Sequence, residues 1–193
     1  MPSTRVLGAS STPELKAYLA VPATGAGPWP GVVVLHEAFG LTDDTRQQAD
    51  RLAAAGYLAL APDLFSAGGA LRCLRSTFGA LTSGEGAAYG DIEASRASLA
   101  GRADCTGRIG VVASYGRCDL VLRGAAADLE KALTEVGVTH DVVEYPDAGH
   151  SFLNRHDAGP LSVLERIAGF SYHQPSAEDA WTRILRFFAV HLS

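Results

Sequence analysis

The feature that most constrains this chain is the segment from Gly107 to Asp119, GRIGVVASYGRCD. Its first half, RIGVV, has the pattern of a buried strand, and its second half, YGRCD, reads as the end of another strand. Only two residues separate the halves, whereas neighbouring parallel strands need a connection of about a dozen residues or more, usually a helix. We therefore predict one strand here in place of two.

The rest of the chain alternates strand patterns with helix patterns. The predicted strands are Glu14–Pro22, as an edge strand, Val32–Leu35, Tyr57–Phe65 and Val138–Pro146. The predicted helices are Asp43–Tyr57 with Thr42 or Asp43 as cap, Gly90–Asp104 with Asp91 as cap, Leu122–Gly137, and Ser176–Leu192 with Ser176 as cap. This alternation predicts an α/β fold with a mostly parallel sheet covered on both faces by helices.

Composition and charge bound the remaining choices. The 193 residues, 47% of them hydrophobic, fit a single domain over residues 1–193. A net charge of −5 argues against nucleic acid or an anionic membrane as partner, and no segment has the roughly 20 apolar residues of a membrane span. Cys73, Cys105 and Cys118 have no zinc or disulfide spacing. We expect no metal, a cytoplasmic location, and cysteines that are buried or half-buried apolar residues.

Three polar residues follow predicted strands, where function collects in α/β sheets: Glu37, Asp119 and His150. An aspartate followed later by a histidine is the order of the acid and base in a nucleophile–acid–base triad. The same spacing also suits an Asp119 that caps the next helix, a His150 in an ordinary turn, and a Glu37 paired with His36 on the surface.

Several segments together resemble the dienelactone hydrolase family of α/β-hydrolases, in the family's order and over nearly the whole chain. They are PWPGVVVLHEAFGL, AAAGYLALAPDLF, DIEASRASLAGRADCTGRIGVV, ASYGRCD and HDVVEYPDAGHSFLNR, of which HEAFG and YPDAGHSF are the more specific motifs. The resemblance implies an α/β-hydrolase-like three-layer sandwich with a mostly parallel sheet. It also implies hydrolysis of a small ester or lactone through an acyl-enzyme. The sequence itself indicates no cofactor.

The resemblance also implies roles for individual residues. Asp119 matches the triad acid, His150 the base, and Glu37 the family's additional carboxylate, which contacts the nucleophile in the resting enzyme. The backbone N–H of Ala38 matches an oxyanion-hole donor, which stabilises the charge that develops on the carbonyl oxygen. Arg155, with Arg72 or Arg75 as a second cation, lies near where the family binds a substrate carboxylate, although solvated surface arginines fit the sequence as well.

The chain departs from the family at the nucleophile. In the family, the GRIGVV strand leads into a turn of the form G-x-C-x-G or G-x-S-x-G, followed by a helix and another strand before the acid. Here Val112 leads directly into ASYGRCD, which predicts a sandwich reduced by about one strand and one helix, with no nucleophile. Ser114 is the remaining candidate, but Val112 stands where the first glycine belongs, and Asp119 is only five residues away.

Three functions remain open at this point. The first is a dienelactone hydrolase-like hydrolase with impaired or no activity. The second is a non-catalytic relative that binds a small carboxylate or a partner protein, and the third is an esterase that uses Ser114. A deletion in the gene is a further explanation of the short segment. Because a lost helix uncovers apolar strand surface, we also expect self-association or marginal stability.

Overall fold

The computed structural model describes residues 4–6, 12–36, 40–66, 87–108, 110–119, 122–155 and 171–192. The chain divides into two compact units, Met1–Arg108 and Ile109–Ser193, which we call the N-terminal and C-terminal units. Each unit combines strands with helices, as the α/β prediction requires. The prediction of a single domain over residues 1–193 stays a prediction.

The N-terminal unit contains a four-stranded sheet. Its elements are β1 (Thr4–Arg5), β2 (Lys16–Ala20), β3 (Gly31–Val33), α1 (Asp43–Ala54), β4 (Leu58–Pro62) and α2 (Ala87–Ala100). The strand order is β1-β2-β4-β3, in which β2 is antiparallel to both neighbours and β3 is parallel to β4. The predicted edge strand Glu14–Pro22 corresponds to β2. The prediction that it lies at the edge of the sheet is wrong, because β1 pairs with it.

The core of the N-terminal unit centres on β4, all of whose residues are buried. Leu58 and Leu60 pack in one apolar cluster with Ala94 and Leu99 of α2. The intervening alanines, which point to the opposite face, are buried too, and α1 also packs against this strand. Burial on both faces is therefore confirmed for β4. It does not extend to the predicted strand Val32–Leu35, because β3 ends at Val33 and the side chain of Leu35 is half exposed.

The first residues of the helices show where the local sequence was sufficient to predict a helix start. Helix α1 begins as predicted, with the Thr42 hydroxyl accepting a hydrogen bond from the Thr45 N–H at 3.4 Å. Helix α2 begins three residues earlier than predicted, so that Asp91 lies inside it and does not cap it. The buried Asp91 carboxylate instead accepts hydrogen bonds from Thr12 N at 2.8 Å and Thr12 Oγ1 at 2.6 Å. Asp91 thus ties the segment before β2 to α2.

The C-terminal unit contains β5 (Val111–Gly116), α3 (Ala125–Glu135), β6 (His140–Tyr145) and α4 (Gln174–His191). The strands β5 and β6 are parallel, with Val111 opposite His140 and Gly116 opposite Tyr145. The prediction of one strand between Gly107 and Asp119 is confirmed, since β5 runs without interruption through both halves of the segment.

Helix α4 begins before its predicted cap. Its N-cap is His173 and Pro175 lies in its first turn, where a proline fits because the N–H that it lacks is not needed. Ser176 is therefore inside the helix, with its hydroxyl 2.8 Å from His173 Nδ1. Among the helices in the described ranges, none has both the length and the apolar composition needed to cross a bilayer.

The cysteines differ from one another in their surroundings. Cys105 is half-buried against the N-terminal core, as expected. Cys118 is exposed, which corrects the prediction of a buried or half-buried thiol, because it lies in the turn that follows β5 rather than in a strand. Cys73 lies outside the described residues.

Candidate active site

The candidate site lies in the C-terminal unit, where β5 and β6 end side by side. Three backbone hydrogen bonds hold the segments that follow these strands. Arg117 N donates to Tyr145 O and Cys118 N donates to Ala148 O, both at 2.9 Å, and Asp119 N donates to Gly116 O at 3.1 Å. The two strand ends are thus joined by the backbone before any functional side chain takes part.

Gly116, the last residue of β5, makes this close approach possible. A Cβ atom at this position would lie 2.5 Å from Ala148 O and closer still to Gly149 O, so no other residue fits without moving the loop. This role of Gly116 was not predicted from the sequence. A glycine at the end of a strand pattern is a signal of close backbone approach that could have identified it.

Asp119 and His150 are brought together at the end of these strands. His150 Nδ1 lies 2.6 Å from Asp119 Oδ2, and the two side chains are 17% and 5% exposed. A carboxylate in this position accepts the Nδ1–H of the imidazole, which makes Nε2 the basic nitrogen. The predicted acid and base therefore form a hydrogen-bonded dyad that is largely shielded from solvent.

The second oxygen of Asp119 is also used. Asp119 Oδ1 accepts a hydrogen bond from Leu122 N at 3.1 Å, in the turn that precedes α3. The N-cap of α3 is Gly124, so the alternative in which Asp119 caps this helix is wrong. The carboxylate instead orders the turn with one oxygen and orients the imidazole with the other.

Residues on both sides of His150 are anchored. Ala148 and Phe152 are buried, and the Phe152 ring packs 5.1 Å from the ring of Tyr145 in the same apolar cluster. Between them, Ser151 has a φ of +65°, a left-handed conformation that is uncommon for a non-glycine residue. The loop is therefore held at two buried points with a sharp turn directly after the histidine.

A polar network connects β6 to α4 behind the loop. The Tyr145 hydroxyl donates to Asp179 Oδ2 at 2.7 Å and accepts from Arg183 Nη1 at 3.0 Å. Arg183 also forms an ion pair with Asp141 at 2.7 Å. Burial of the phenol, together with its hydrogen bond to Asp179, raises the pKa of Tyr145. The network fixes the residue from which the histidine loop departs.

Ser114 does not join the dyad. It lies inside β5 opposite Val143, and its hydroxyl is buried without a hydrogen bond to any residue that the structure describes. A nucleophile turn places its side chain at a sharp bend between strand and helix. The strand continues for two residues beyond Ser114, and the next helix begins only at Ala125.

Arg155, the predicted cation for a substrate carboxylate, is exposed and engaged with Tyr172. Its guanidinium lies 4.4 Å from the centre of the tyrosine ring, and Nη2 donates to the Tyr172 hydroxyl at 3.1 Å. This hydrogen bond raises the pKa of Arg155. Its role toward substrate stays a prediction. Glu37, Ala38 and Arg72 lie outside the described residues.

Comparison with known proteins identifies the family. The model of the Dienelactone hydrolase family matches residues 15–116 and again residues 110–192. The two matches overlap at residues 110–116, the segment that contains β5.

Two curated relatives match along most of their length, and a third matches along about half. A Yersinia pestis protein assigned as a carboxymethylenebutenolidase is 24% identical over 237 residues, covering 92% of this chain and 84% of that protein. An Escherichia coli K12 protein with the same assignment is 29% identical over 247 residues, covering 95% and 86%. Both aligned lengths exceed the 193 residues of this chain, so the alignments place gaps in it. The hydrolase fragment YghX of Escherichia coli K12 is 51% identical over 57 residues, 29% of this chain and 49% of that protein.

Solved structures show the same fold. The dienelactone hydrolase-like promiscuous phosphotriesterase P91 from metagenomic libraries superposes with a TM-score of 0.76 at 19% identity, covering 100% of this chain and 99% of the other. The structure of m3DLH gives a TM-score of 0.77 at 21% identity, with the same coverage. These likenesses establish an α/β-hydrolase fold. The matches of the family model cover most of the chain and show that it belongs to the dienelactone hydrolase family.

Proposed function

We propose that this chain is a dienelactone hydrolase-like hydrolase of small esters or lactones whose covalent nucleophile is missing, so that its activity is impaired or absent. The observation that carries the proposal is the double match of residues 110–116. β5 is one uninterrupted strand at this overlap, and the alignments with two curated relatives are longer than this chain, which supports a stretch of the family's sequence that this chain lacks. We propose that the nucleophile turn belongs to this stretch.

The remaining parts of the site support descent from a hydrolase. Asp119 and His150 have the hydrogen bond of a triad acid and base at 2.6 Å. The proposal assigns Glu37 as the additional carboxylate and the Ala38 N–H as an oxyanion donor. Arg155 and Arg72 are assigned to a carboxylate group on the substrate. The assignment of relatives as carboxymethylenebutenolidases supports a lactone as the substrate class.

We also propose a cellular location, a type of substrate and self-association for this protein. Cysteines without a disulfide spacing and a net charge of −5 support a cytoplasmic location and a small-molecule substrate rather than a nucleic acid. The six half-buried residues of β5 support self-association, since strands of this fold class are normally buried.

A fluorophosphonate probe tests for a serine nucleophile, because it reacts covalently with the hydroxyl group of an activated serine. We expect intact-mass analysis of the treated protein to show no adduct, and a serine esterase labelled in parallel controls for probe quality. Stoichiometric labelling of the wild type that is lost in Ser114→Ala would establish the Ser114 esterase instead. Binding of a lactone hydrolysis product without any turnover would indicate the non-catalytic binding relative.

A further inference from the structure

The His150–Asp119 dyad is complete within the C-terminal unit, and a complete base can act on water. We propose that the dyad activates a water molecule directly, so that the site hydrolyses activated lactones by general-base catalysis without an acyl-enzyme. This inference rests on the proposed function, because it assigns turnover to a site whose side chains form no covalent intermediate.

The geometry of the dyad does not depend on a nucleophile. Asp119 N donates a hydrogen bond to Gly116 O, and the Asp119 carboxylate accepts one from Leu122 N. The same carboxylate orients the imidazole, with Oδ2 2.6 Å from His150 Nδ1. The loop that carries His150 is anchored at Ala148, whose carbonyl accepts from Cys118 N. The base is therefore positioned in advance, which is the condition under which general-base catalysis is effective.

The two members of the dyad differ in exposure in the way this reaction requires. The Asp119 side chain is 5% exposed, so water competes little for its bond to the imidazole. The His150 side chain is 17% exposed, so solvent contacts it more than it contacts the carboxylate. With Nδ1 facing the carboxylate, the nitrogen that would take a proton from water is Nε2.

The reaction balances with water as the only co-reactant. As the water oxygen bonds to the lactone carbonyl carbon, one water proton passes to His150 Nε2 and the carbonyl π electrons move to the carbonyl oxygen. When this tetrahedral intermediate collapses, the ring C–O bond breaks and the imidazolium returns the proton to the departing oxygen. The product is the open-chain hydroxy acid, and Asp119 stays ionised and stabilises the imidazolium throughout.

The expected rate enhancement distinguishes this reaction from covalent catalysis. A positioned general base contributes roughly 10²–10⁴-fold, whereas a complete triad with its oxyanion hole contributes several orders of magnitude more. We therefore expect slow turnover that is measurable above the buffer rate and depends on His150.

The test is steady-state hydrolysis of dihydrocoumarin, an aryl lactone, followed with intact-mass analysis of the protein during turnover. The wild type should exceed the buffer rate, slow down in D₂O because a proton moves in the transition state, and carry no lactone adduct. His150→Gln should return the rate to the buffer value. Asp119→Asn, checked for folding by its denaturation curve, should lower it at least about tenfold. The exposed loop carboxylate variant Asp147→Asn should leave it unchanged.

The outcomes separate the two proposals. A wild-type rate equal to buffer, or one that survives His150→Gln, overturns water activation by the dyad and leaves the missing nucleophile intact. A lactone adduct on Ser114 or Cys118, together with loss of the rate in Ser114→Ala or Cys118→Ala, overturns both. A lactone adduct on His150 itself shows that the imidazole attacks as a nucleophile, and it overturns the general-base assignment.

Discussion

At the scale of single residues, Asp119 satisfies two N–H donors at once, His150 Nδ1 and Leu122 N. Asparagine offers one carbonyl oxygen, so Asp119→Asn must leave one of these donors facing its NH₂ group. We expect a loss of roughly 1–3 kcal/mol in the free energy of unfolding, measured by urea denaturation. Asp147→Asn, which changes an exposed carboxylate in the loop that carries His150, is the control and should stay within about 0.5 kcal/mol. Equal stability of the two variants would contradict a double role for Asp119.

Gly116 provides a second prediction at this scale. In Gly116→Ala the new methyl group would meet the backbone of Ala148 and Gly149, which cannot move without disturbing the bonds between the two strand ends. We expect the free energy of unfolding to fall by roughly 1–3 kcal/mol. Gly101→Ala is the matched control, because its Cβ would come only to 3.3 Å from Ala97 O. If Gly116→Ala is as stable as the control, the loop at Ala148 and Gly149 can accommodate a methyl group at this position.

Chain order predicted that Asp119 and His150 lie at the same edge of the sheet, and this proximity is confirmed, whereas their catalytic roles stay predictions. Asp119 and His150 meet because parallel strands of similar length bring their carboxyl ends to the same edge. Gly116 was not recognised as a packing residue, since nothing in its own segment indicates which loop approaches it. Asp91 looks like a helix cap in sequence, but its partner is Thr12, which is far away in the chain.

At the scale of elements, the strands and helices were predictable and their ends were less so. One strand between Gly107 and Asp119 follows from chain length alone, and β5 has this form. The starts of α2 and α4 differ from their predicted positions because Asp91 and Ser176, which resemble caps, are used inside the helices. Local hydrogen-bonding residues do not indicate by themselves whether their partner lies in the next turn or elsewhere.

The contact between β6 and α4 gives a prediction about pH. The pKa of Tyr145 is raised in the folded protein, chiefly by burial and also by its hydrogen bond to Asp179. The unfolded chain therefore loses this proton first as the pH rises past the ordinary value of about 10, and stability falls there while it is unaffected at lower pH. We expect Tyr145→Phe to have a lower free energy of unfolding than the wild type at about pH 8. Between about pH 8 and about pH 10.5, the free energy of unfolding should fall by less in this variant than in the wild type.

Urea denaturation at the two pH values measures this difference. Tyr18 and Tyr57, whose pKa values are also raised, should preserve part of the alkaline loss in the variant. Tyr89→Phe, which changes an exposed tyrosine of α2, is the control for replacing a phenol by a phenyl ring. If Tyr145→Phe loses as much stability at alkaline pH as the wild type, the raised pKa of Tyr145 does not contribute to the pH dependence of stability.

At the scale of the whole molecule, the C-terminal unit is thinly covered. None of the α3 residues is buried, all six β5 residues are only half-buried, and Val136 and Val190 are 71% and 67% exposed. Exposed apolar surface of this kind promotes association. We expect sedimentation velocity to show concentration-dependent dimers or larger species, or else a low melting temperature for the monomer. A monomer at all concentrations with a sharp and high melting transition would contradict this expectation.

The central claim is that the strand β5 replaces two family strands and leaves the site without a covalent nucleophile. Rapid mixing with excess p-nitrophenyl acetate tests it most directly, since an acyl-enzyme releases its first nitrophenol faster than later ones. We predict nitrophenol release that is linear from the first turnover, without a burst. A burst that approaches one equivalent per chain and disappears when one serine or cysteine is replaced, Ser114 first, would contradict the account.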